Sequence, residues 1–126
     1  MMNPLEIALN LNRDISESRA NELALEIMDL PQINSKNVVI DVVTALCNIG
    51  QWRKSGVGYS EEISNVISQW IEANFIENQV YSDNLVDLIS ELTSSESSEM
   101  VLRLVRKVEN ENLKESLFDA YAYKGT

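Results

Sequence analysis

Apolar positions along this chain recur every three or four residues, and the recurrence breaks at short polar segments rather than passing into strand-like alternation. The longest run, Ile63, Val66, Ile67, Trp70, Ile71 and Phe75, predicts a helix capped by Ser60, with Glu61 and Glu62 in the first turn where the helix dipole favours acids. Upstream, Asn3 followed by Pro4 predicts a short helix to about Leu11. Asp14 and Glu17 form a capping box for a second helix ending before Pro31, with Ala20, Leu23, Ala24, Ile27 and Met28 on one face. Ser35 caps a third, SKNVVIDVVTALCNIG, which Gly50 terminates. Its valines also suit a strand, but the segment is too long for one without a turn signal. On it Asn37, Asp41, Thr44 and Asn48 form one thin polar stripe. Downstream, Ser82 caps a fifth helix bearing Leu85, Leu88, Ile89 and Leu92. TSSESS at 93–98 leads into a sixth with Val101, Leu104, Val105 and Val108. ENEN at 109–112 turns the chain into a last helix with Leu113, Leu117, Phe118 and Tyr121.

The pattern therefore predicts an all-α protein, a single helical domain spanning 1–126 with about six to seven helices. Short connectors favour antiparallel neighbours, in either a compact bundle or an irregular stack of helical hairpins. The apolar stripes beginning at Ile63, Leu85, Val101 and Leu113 shorten in spacing, so no regular repeat is expected.

Composition adds a compartment and a sign. With 126 residues, 44 % of them apolar, the chain has enough core for one domain. No apolar run approaches the roughly 20 residues of a membrane helix, and the amino-terminal MMNPLEIALNLNRD has no secretory signal pattern. Cys47 is alone, which suits a reducing compartment, so a cytoplasmic protein is expected. The net charge is −10, and from Ser55 to Leu102 there is no Lys or Arg at all. That span carries Glu61, Glu62, Glu72, Glu77, Asp83, Asp87, Glu91, Glu96 and Glu99. Such a field repels nucleic acid and anionic membrane and attracts a basic protein.

Candidate chemistry is sparse. GQWRKSGVGYSEE at 50–62 holds three glycines, Arg53 and Lys54 before a helix, the raw material of an anion cradle. No strand precedes it, no GK[ST] ending follows, and Glu61 and Glu62 already compensate the helix terminus. The loop reads as a connector, with Trp52 and Tyr59 as side chains able to anchor an interface. The absence of histidine removes His-based triads and imidazole zinc patterns. Cys47 lies among apolar residues, where a thiol stays protonated. Asp83, Asp87 and Glu91 recur on one face of the fifth helix, opposite its leucines, so they do not face inward as a metal site requires. No catalytic residue, cofactor or metal is expected. The expected contact residues are Trp52, Tyr59, Glu61, Glu62, Asp83, Asp87 and Glu91.

The acidic helix YSDNLVDLISEL and the hairpin SSESSEMVLRLVRKVENENLKESLFDAY after it resemble, in style and without a diagnostic motif, the immunity proteins that bacteria make against polymorphic or contact-dependent toxins. The resemblance implies a non-catalytic protein that occludes a basic toxin, such as a nuclease. The alternative carried by the same composition is a helical adaptor or regulatory subunit, with an apolar groove beside Trp52 and Trp70.

Overall fold

A computed structural model describes residues 3–53, 58–75 and 82–124, the side chains of 82, 83, 123 and 124 excepted. Among the described residues there are seven helices and no strand: α1 (Pro4–Leu9), α2 (Glu17–Met28), α3 (Val39–Trp52), α4 (Glu61–Asn74), α5 (Ser82–Ser90), α6 (Ser95–Lys107) and α7 (Glu111–Lys124). The all-α reading therefore holds.

The caps explain most boundaries. Asn3 accepts the Glu6 N–H at 2.8 Å with Pro4 at the first helical position. Ser60 accepts from the Ile63 N–H, Ser94 from the Ser97 N–H, and Asn110 from the Leu113 N–H. Two starts differ from the sequence reading. α2 is capped by Ser16, which accepts the Arg19 N–H at 3.1 Å, and not by a box at Asp14. The reason is that Ile15 is held outside the helix, its N–H donating to the Trp52 carbonyl at 2.9 Å and its backbone bridging Arg53. α3 begins at Val39 instead of after Ser35. Residues 30–38 run through successive tight turns, because Ile33 is buried and its carbonyl receives the Trp70 indole N–H at 3.0 Å. The end of α3 differs too, since Gly50 lies within the helix, which runs on to Trp52.

The helices pack as a compact bundle. Odd helices lie against odd ones (α1 on α3, α3 on α5, α5 on α7) and even against even (α2 on α4, α4 on α6), giving two layers. Within the odd layer α3 and α5 run parallel: Thr44 meets Asn84, Cys47 meets Asn84 and Leu88, and Gly50 meets Glu91. The short connectors make successive helices reverse, so the parallel contacts come from helices two apart. α7 lies against both α5 and α6 and closes the two layers at one side. Ser16, Ser60 and Ser94 recur as the extended cap residue opening each even helix.

The inner faces of both layers make one core in which Leu23, Ile27, Leu46, Ile49, Ile67, Leu88, Ile89, Leu92, Met100 and Leu104 are fully buried. Each such aliphatic side chain contributes roughly 1.5–3 kcal/mol relative to exposure. Phe118 departs from its expected place in the α7 stripe: it is 48 % exposed, while Leu113, Leu117 and Ala120 carry the contact with the core. No helix among the described residues is long and apolar enough to cross a membrane.

Candidate functional site

The connectors before α2, α4 and α6 lie side by side at one end of the bundle, and a single arginine joins them. Arg53 follows the last turn of α3 and is 4 % exposed, its side chain entirely enclosed. Its Nη2 donates to the Glu91 carboxylate at the end of α5, and its Nε stands 3.7 Å from Glu17 at the start of α2. The guanidinium lies over the Tyr59 ring, 5.0 Å from the centroid, a cation–π contact. Among the described residues, neither Nε nor Nη1 finds a hydrogen-bond acceptor. Gly50 lets Glu91 pass closely, since a Cβ there would come within 3.1–3.2 Å of the Glu91 side chain. Glycine inside a helix costs about 1 kcal/mol relative to alanine, and the close passage of Glu91 accounts for it here.

Tyr59 completes this clasp. It is 1 % exposed, its hydroxyl donates to the Leu46 carbonyl at 2.6 Å, and its N–H donates to the Glu91 carbonyl at 2.8 Å. Its own carbonyl accepts from the Thr93 hydroxyl at 2.7 Å. Burial pushes the phenol pKa upward, against the opposing pull of Arg53. Tyr59, expected as an interface anchor, is thus enclosed by its own chain. Trp52, the other expected anchor, is half-buried within α3 and serves as Ile15's backbone acceptor. Residues 54–57, with Lys54 and Gly56 of the glycine loop, lie outside the described residues.

The acids divide into two groups. On the even layer, Arg103 of α6 makes a two-pronged bond to Glu72 of α4, at 2.7 and 3.0 Å, and a third to Glu96 at 2.8 Å. Hydrogen bonding to Arg103 holds the Glu72 carboxyl below its ordinary range and raises the guanidinium in turn. Lys107 approaches the same carboxylate at 4.0 Å. These acids, which the sequence placed in a stretch free of cations, are neutralised by residues just beyond that stretch.

The odd layer is different. Along the edge where α3 and α5 run parallel, Asp41, Thr44, Asn84 and Asp87 form a polar row. Asp41 and Asp87 are exposed and make no ion pair with a described residue. Thr44 donates to the Ile40 carbonyl and receives the Asn84 amide at 3.5 Å, and Asn48 caps the end of α1 through the Ala8 and Leu9 carbonyls. The thin polar stripe of α3 is therefore a seam between odd helices as well as a surface. Glu61 and Glu62 are exposed at the start of α4, near the clasp end of the bundle. Glu91 stands one turn beyond Asp87 but is engaged by Arg53. The Asp83 side chain lies outside the described residues. Asp41 is the addition to the expected contacts, which already held Asp87. Its place in a polar stripe was visible in the sequence, whereas the packing of that stripe against α5 required the tertiary fold.

Cys47 lies on α3 against α5, its thiol donating to the Asn84 carbonyl at 2.9 Å. Burial, then the charges of Asp87 and Glu91, push its pKa up from 9.0 to about 12. Since only the thiolate reacts, native Cys47 is expected to react with a disulfide reagent at pH 8 about a thousandfold more slowly than in urea. Time courses of thiol titration with and without urea check this, and equal rates would contradict the buried, acid-flanked placement. Among the described residues no group of three or more potential metal ligands comes together.

Compared with known proteins, the chain matches no family model, no curated protein and no solved structure.

Proposed function

We propose that the protein is a non-catalytic inhibitor of the immunity type, which neutralises a basic toxin domain by covering it with the acidic edge of α3 and α5. The observation that carries the reading is the exposed pair Asp41 and Asp87, unpaired among the described residues, while Glu72 and Glu96 on the even layer are held by Arg103. Carboxylates without internal cations can receive an incoming Lys or Arg with no native ion pair to break first. Nucleases suit the role, since they carry basic surfaces to hold a polyanionic substrate, and a carboxylate row can take the place of phosphates. Glu61 and Glu62 would extend the contact at the rim, where charges act on encounter more than on residence.

The test is a pull-down from low salt with elution at rising salt, repeated with Asp41→Lys combined with Asp87→Lys. Both side chains are exposed, so the folded state should be retained. The expected result is a basic protein captured by the native chain, and a loss of affinity on the order of tenfold to a hundredfold in the variant, chiefly in association rate. Capture that is indifferent both to salt and to the double reversal would favour a helical adaptor instead. That second reading has one observation of its own, a small apolar crevice lined by Val43, Trp70, Ile71 and Leu85. Trp70 itself is buried there and bonded to Ile33, so the crevice offers its rim rather than an exposed indole.

A further inference from the structure

We draw no further inference here: the strongest candidate, the apolar crevice between α3, α4 and α5 lined by Val39, Val43, Trp70, Ile71, Asn74 and Leu85, is an apolar face of which nothing in the structure shows what covers it.

Discussion

Glu91→Ala is expected to destabilise the protein by about 3 kcal/mol, and Glu91→Lys by more, whereas Asp87→Lys one turn away should stay within about 0.5 kcal/mol. The difference lies in what each carboxylate faces. Asp87 is exposed and unpaired among the described residues, while Glu91 holds the only hydrogen bond that the enclosed Arg53 guanidinium makes among them. Removing it leaves a cation with no exposed surface of its own and, among the described residues, Glu17 at 3.7 Å and the face of the Tyr59 ring for compensation. Breaking a buried pair from one side costs about 3–5 kcal/mol because the remaining charge is uncompensated. The lower end applies here, since Glu91 keeps a third of its side chain in water. Replacing both partners, Arg53→Met with Glu91→Met, removes the stranded charge and should recover most of the loss. Urea unfolding of the three single variants and the double variant measures this directly. A Glu91→Ala midpoint equal to the native one would mean that the clasp contributes nothing to stability.

That contrast marks the limit of what the sequence could say. The spacing of Ile63, Ile67, Trp70 and Ile71, or of Leu85, Leu88, Ile89 and Leu92, reports burial because helical geometry repeats locally, and all eight are buried. The caps at Asn3 and Ser60 were legible for the same reason, being interactions across three residues. Asp87 and Glu91 share a helix face and a charge, so local reasoning assigns them one role. What separates them is Arg53, 38 residues earlier in the chain. Gly50 misled in the same manner: a glycine after an apolar run signals a helix end, but here its missing side chain makes room for Glu91 from another helix. The parallel pairing of α3 with α5 also lay beyond reach, because connector length fixes only the relation of successive helices. The reversal of Tyr59 from surface anchor to enclosed ring follows from that pairing, since its hydroxyl and N–H find their acceptors on α3 and beyond α5.

Gly58→Ala is expected to cost about 3 kcal/mol and to lower the melting temperature by about 10 °C, for two independent reasons at one position. Gly58 has φ +81°, in the left-handed region where a Cβ meets its own backbone at a cost of roughly 1–2 kcal/mol. A Cβ there would also stand 2.8 Å from the Glu91 carbonyl oxygen and 2.8 Å from the Thr93 methyl. The methyl can be removed, but the carbonyl cannot turn aside, since it accepts the Tyr59 N–H at 2.8 Å. Moving it loosens a hydrogen bond worth about 1 kcal/mol and shifts the backbone that positions Glu91 against Arg53. Two further variants separate the causes. Gly58→Asn tolerates the left-handed backbone better than alanine, yet carries the same Cβ, so it should recover only part of the loss. Thr93→Ala in the Gly58→Ala background frees one of the two close contacts and gives up the Thr93 hydroxyl's bond to Tyr59, so it should recover little. Thermal melts followed by circular dichroism read all three. A Gly58→Ala melt within about 2 °C of native would show that the connectors are not held this closely, and the clasp would then lose its role in fixing α3 and α5 behind the acidic edge.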